Sequence, residues 1–255
     1  PLPHYIAVTA TPGPGSAAPP LASTAETKRK RRFVVGSWRT LPRGASTDTE
    51  VMLGIPHALT AATGMDALTH AVECYVTLDA NPATDALALQ AIELVGKYLA
   101  RAVAYGQDME AREGMAYASV LAGMAFNNAG LGYVHAMAHQ LGGLLDMAHG
   151  VANAVLLPHV ERWNLMTNPA KFARMAVTLG ENIDGLGKME AAEACIKAIV
   201  RLSKDVGIPQ GLASLGVKES DIRPMAELAL QDGNAGCNPR KGTVEDIMEL
   251  FRAAM

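Results

Sequence analysis

Eight of the fourteen prolines fall within the first 56 residues, and from Ala58 onward long stretches carry no helix breaker at all. Proline has no backbone N–H and its ring clashes with the preceding turn, so this asymmetry pushes long helices to the part of the chain after Pro56. Before it, HYIAVTA and RFVVGSW are rich in β-branched and aromatic residues and bounded by Pro and Gly, the pattern of short strands. After it, apolar residues recur at three- and four-residue spacing over 58–77 and 83–104, with a turn at Asp79 to Pro82 between them. Further helices are expected over 109–126, 131–145, 151–165, 170–180, 189–206, 218–231 and 243–254, most of them closed by Gly or an Asn/Pro turn. The reading is a mainly α chain, with strands and loops in 1–57 and an all-helical domain in 58–255.

At 255 residues and 49% hydrophobic, the chain buries a sizeable core. A formal net charge of -3 gives no global attraction to nucleic acid or an anionic membrane, and no apolar run approaches the ~20 residues of a membrane helix. A small molecule is the expected partner. The basic run Lys28 to Arg32 reads as a solvated hairpin between two strands. Cys74, Cys195 and Cys237 are widely spaced and form no CxxC, which argues against a disulfide framework or a thiolate zinc site and for a reducing, cytoplasmic setting.

Chemistry concentrates in the histidines. Asp66 and His70 stand four apart in GMDALTHAVE, so both project from one helix face about one turn apart. His135 and His139 repeat the spacing in GYVHAMAHQLGG, and His149 follows in DMAHGVANAVLLPHV. One carboxylate with two or three imidazoles is a mixed N/O set suited to Fe(II), Zn(II) or another first-row divalent ion. Spacing alone leaves open which histidines ligate and whether the helices meet.

From about Val51 to Phe251 the sequence resembles the iron-containing alcohol dehydrogenases, in particular the branch of 1,3-propanediol and NAD-dependent methanol dehydrogenases. The residues carrying the match are ALTAATGMDALTHAVE, NPATDALALQAI, MAYASVLAGMAFNNAGLGYVHAMAHQLGG, HGVANAVLLPHV and DGNAGCNPRKG. The resemblance implies the helical metal-binding domain of that family's dehydroquinate synthase-like fold, preceded by a short strand and loop remnant of its α/β cofactor domain. It implies a divalent metal, Fe(II) first and Zn(II) second, held by Asp66, His70, His135 and His149. It places His139 beside nicotinamide and substrate as a proton relay. The implied reaction moves hydride between a short primary alcohol or diol and NAD, with an alcohol or aldehyde as partner and a homo-oligomer, dimer or larger, as assembly.

Two departures bear on the cofactor. The family's N-terminal domain carries a GGGS turn that this chain lacks, so most of that domain is expected to be missing and a non-catalytic metal-binding scaffold is the alternative for the isolated chain. What remains, HYIAVTATPGPGSAA, resembles the family's TTxGTxSE cofactor loop at Thr11, Gly13, Gly15 and Ser16, while Ala10, Pro14 and Ala17 depart from it. Thr11, Gly13, Ser16 and His139 are thus the implied cofactor contacts. Gly13 to Ala18 also spells GxGxxA, but Pro19 and Pro20 stand where a Rossmann helix must begin. A metallohydrolase is disfavoured because no HExxH pair supplies a general base.

Overall fold

The structure, a computed structural model, describes residues 6–13, 15, 21–26, 31–37, 39 and 41–255. Among these, all strands precede Pro56. Strand β1 (Ile6–Val8) pairs in parallel with β4 (Gly44–Ser46), with Ile6 opposite Gly44. Strands β2 (Leu21–Glu26) and β3 (Arg31–Gly36) form an antiparallel hairpin, Leu21 opposite Gly36. The β2 strand is not anticipated by the sequence pattern: LASTAE is short, small-residued and preceded by two prolines, and it gains its ladder only from β3. Of the basic run Lys28 to Arg32, Arg31 and Arg32 belong to β3 itself, and the solvated hairpin expected at Lys28 to Lys30 lies outside the described residues.

Helices take over at Pro56, whose ring needs no N–H at a helix start and whose extended backbone sets the entry to α1 (His57–Val76). Helix α1 is buried on almost every face from Thr60 to Val76, which makes it the axis of the helical part. Helix α2 (Pro82–Ala104) starts with a reciprocal cap: Asn81 Oδ1 accepts the Ala83 and Thr84 N–H groups, and Thr84 Oγ1 accepts that of Asn81 at 2.9 Å. Helix α3 (Met109–Ala129) is capped by Asp108 and ends at Gly130, whose φ of 71° only glycine adopts cheaply. Helices α4 (Tyr133–Leu145) and α5 (His149–Asn164) complete the group around α1. Then follow α6 (Pro169–Thr178), α7 (Lys188–Asp205), α8 (Glu219–Ala229) and α9 (Val244–Ala253). No described helix is long and apolar enough to cross a membrane.

Among the contacts that fasten the N-terminal segment to the helices are those of Arg112 and of the loop after β1. Arg112 on α3 is buried and donates to the Ile55 and Gly106 carbonyls and to Thr60 Oγ1. The loop after β1 lies against α1 and α3: a β-carbon on Gly13 would fall 2.6 Å from Thr63 Cβ, and the Gly15 N–H donates to Ser119 Oγ at 3.3 Å.

Candidate metal centre

Three helices deliver the site. Helix α1 carries Asp66 and His70 one turn apart, α4 carries His135 in its first turn, and α5 begins at His149. Each offers one ligand atom, and these atoms all lie within 4.8 Å of one another. Tetrahedral bonds of about 2.1 Å set donors about 3.4 Å apart, so the cluster is at most an ångström or so wider than a closed coordination shell. Asp66, His70 and His135 are buried, whereas the His149 side chain is 28% exposed, so the cluster opens toward solvent on the α5 side.

The electrostatics suit a cation. Burial holds the His135 imidazole well below its ordinary value of 6.5, with His70, His149 and His139 adding to the effect. Burial likewise lowers His70, against the opposing pull of Asp66. Both rings are therefore neutral near pH 7, with a lone pair to give. Asn153 Nδ2 donates to Asp66 Oδ1 at 2.7 Å and lies 3.1 Å from both His135 Nε2 and His149 Nε2. One amide nitrogen has two hydrogens to share among these three inward-facing acceptors. The buried His70 Nδ1 has no hydrogen-bond partner among the described residues. A set of converging lone pairs short of positive charge is what a divalent ion of borderline softness satisfies.

His139 is placed differently. Its ring stacks on His149 with centroids 5.6 Å apart, and its Nδ1 meets Asp232 Oδ2 at 2.7 Å. Asp232 is steadied in turn by the Asn234 N–H, which donates to its other oxygen at 2.9 Å. His139 thus sits beside the four-residue cluster and outside it. Thr11 is half-buried and Gly13 buried in the loop packed on α1, and Ser16 lies outside the described residues.

Three supporting residues escape the sequence reading: Glu73, Asn153 and Asp232. Glu73 Oε2 meets His135 Nδ1 at 2.5 Å. Burial pushes the Glu73 carboxyl up, as does Glu161, against the N–H groups at the start of α4. Spacing holds a faint signal for two of them, since Glu73 follows His70 by three and Asn153 follows His149 by four, each on the ligand's helix face. Asp232 has no local signal, because its partner is 93 residues away.

One buried carboxylate and three imidazoles brought together by three helices, with a fourth histidine alongside, form a candidate metal centre of the mixed N/O class. The chain belongs to the Fe-containing alcohol dehydrogenase family, whose C-terminal region matches residues 60–255. It is 62% identical over 254 residues to a 1,3-propanediol dehydrogenase of Citrobacter freundii, covering 100% of this chain and 66% of the relative. It is 46% identical over 255 residues to an NAD-dependent methanol dehydrogenase of Bacillus methanolicus, covering 100% of this chain and 67% of that one. A crystal structure of a 1,3-propanediol oxidoreductase superposes with a TM-score of 0.98 at 60% identity, covering 100% of this chain and 67% of that one. An alcohol dehydrogenase from Oenococcus oeni follows at 0.96 and 53%, with the same coverage. The chain therefore spans about two thirds of the length of these relatives.

Proposed function

We propose that this chain is the metal-binding part of an NAD-dependent alcohol dehydrogenase acting on short primary alcohols or diols, with Asp66, His70, His135 and His149 as metal ligands and His139 as proton relay. The observation that carries the reading is the convergence of those four side chains with His139 stacked beside them. The names of the relatives support the substrate class and the cofactor. Residues 1–57 are read as the end of the α/β cofactor domain, with Thr11, Gly13 and Ser16 on the cofactor side, and 58–255 as the helical metal domain. Fe(II) is the first choice of ion and Zn(II) the second. A homo-oligomer and a cytoplasmic location complete the reading, the latter supported by three free cysteines. Nothing in the described residues favours a non-catalytic scaffold.

When bound, the ion supplies Lewis acidity toward an alcohol oxygen, and the nicotinamide supplies a hydride acceptor. The chain's own residues do the rest. The buried ligands Asp66, His70 and His135 keep water from most of the cluster, and His149 leaves one side open for the alcohol. His139, with Nδ1 engaged by Asp232, has Nε2 for receiving the hydroxyl proton. The test is NADH formation by the full-length protein, purified anaerobically with Fe(II), on methanol, ethanol and 1,3-propanediol. Metal-dependent NADH formation abolished by chelator is expected. Turnover indifferent to chelator, or no turnover of any of the three, contradicts the reading.

A further inference from the structure

We infer that Glu73 is the positioning residue of the metal centre, one carboxylate reaching across from α1 that both caps the start of α4 and dictates which nitrogen of His135 faces the ligand cluster. The inference rests on the metal-site reading above and adds a residue to it.

Helix α4 cannot cap itself. Its N-cap is Gly132, which has no side chain, so the first N–H groups of the helix look outward for acceptors. Asn238 Oδ1 takes the Tyr133 N–H at 3.1 Å, and Glu73 Oε1 takes the Val134 N–H at 2.7 Å. A β-carbon at Gly132 would fall 2.7 Å from Asn238 Oδ1 and 2.9 Å from Glu73 Oε1, so only glycine lets both acceptors reach the helix start. The positive end of the helix dipole favours an anion at that place.

The second oxygen of the same carboxylate, Oε2, meets His135 Nδ1 at 2.5 Å. The Val134 N–H on Oε1 favours the charged form of Glu73, and in that form the carboxylate can only accept, so it holds the ring proton on Nδ1 and leaves the lone pair on Nε2. Nε2 is the nitrogen 3.1 Å from Asn153 Nδ2, the same amide nitrogen that contacts Asp66 and His149. The cap holds the backbone of α4 while the second oxygen holds the ring, so Glu73 sets both the position and the tautomer of His135. Because Glu73 follows His70 by one turn of α1, a single helix presents two ligands and the support for a third.

Glu73→Gln separates this role from plain packing. Glutamine keeps the size and an oxygen for Val134, but its amide then offers N–H to His135 Nδ1, which pushes the ring proton onto Nε2 and opposes ligation. Zn(II) dissociation constants measured by chelator competition should rise by about 10- to 100-fold. The d–d spectrum of the Co(II)-loaded variant should change, while the helical circular dichroism stays as in the wild type. Asp66→Ala is the control. If Glu73→Gln binds Zn(II) like the wild type while Asp66→Ala does not, the inference fails and the site stands; if both bind like the wild type, the site reading itself fails. Should Glu73→Gln not fold, the zinc-loaded wild type decides. A long-range proton–nitrogen spectrum with the proton of His135 on Nδ1 supports the inference, and one with it on Nε2 overturns it.

Discussion

Gly150 and Ala62 bring α5 onto α1 so closely that a β-carbon at Gly150 would lie 2.2 Å from the Ala62 carbonyl oxygen. Backbone on the α1 side cannot swing aside as a flexible side chain would. The residue before Gly150 is His149, so this contact also sets how near that imidazole comes to Asp66. Gly150→Ala is expected to destabilise the protein by about 1–3 kcal/mol, the usual cost of overpacking. It should weaken metal binding as well, because α5 must retreat. Urea midpoints and Zn(II) affinity on the variant check this; unchanged values for both would show that the helices have room to spare.

His135 and His139 lie on one face of α4, but only His135 shares the ligand cluster. His135→Ala is expected to lose metal affinity, with activity falling in parallel and returning in part at high metal. His139→Ala should keep its metal and lose rate by about 10²-fold, with an altered pH profile, as for removal of a general acid or base. Metal content and pH-dependent rates of the full-length variants decide between them. Metal lost from His139→Ala and kept by His135→Ala would reverse the assignment.

Glu161 is a buried carboxyl whose Oε1 has no partner among the described residues, and burial pushes it up to about 8. Between its ordinary value of 4.5 and about 8, the unfolded chain has lost this proton while the folded protein retains it. The folded state binds more protons, so this group's contribution to stability falls as pH rises through that window. Glu161→Gln removes the titration. Its stability relative to the wild type should grow by up to about 1.4 kcal/mol per pH unit from 4.5 to 8. Denaturant unfolding of both proteins at pH 5 and pH 8 measures the difference, and a constant gap would contradict the burial argument.

Much of the helical layout can be read from residue order because it is local. The run 58–77 becomes His57–Val76 and 83–104 becomes Pro82–Ala104, with Pro56, Asn81 and Pro82 marking the starts. The strand Leu21–Glu26 is not legible, since its partner in β3 decides it. The same divide runs through the site. The i, i+4 pairs announce Asp66 with His70 and His135 with His139, but nothing local says that α1, α4 and α5 meet. That meeting depends on close approaches such as Gly150 to Ala62 and on Glu73 reaching a helix start 61 residues away. Gly13 illustrates a double constraint: resemblance assigns it to the cofactor loop, while the fold presses it against Thr63, a packing demand sufficient by itself to require glycine.

On the proposed function, Asp66, His70, His135 and His149, whose ligand atoms lie within 4.8 Å of one another, hold one divalent ion. The most direct measurement is elemental analysis of the protein purified anaerobically without added metal, then after Fe(II) or Zn(II) reconstitution and desalting, beside the four single alanine variants. One ion per chain in the reconstituted wild type, with a marked loss in every variant, is the expected result. A wild type that retains no ion, or variants that retain it as the wild type does, would contradict the account.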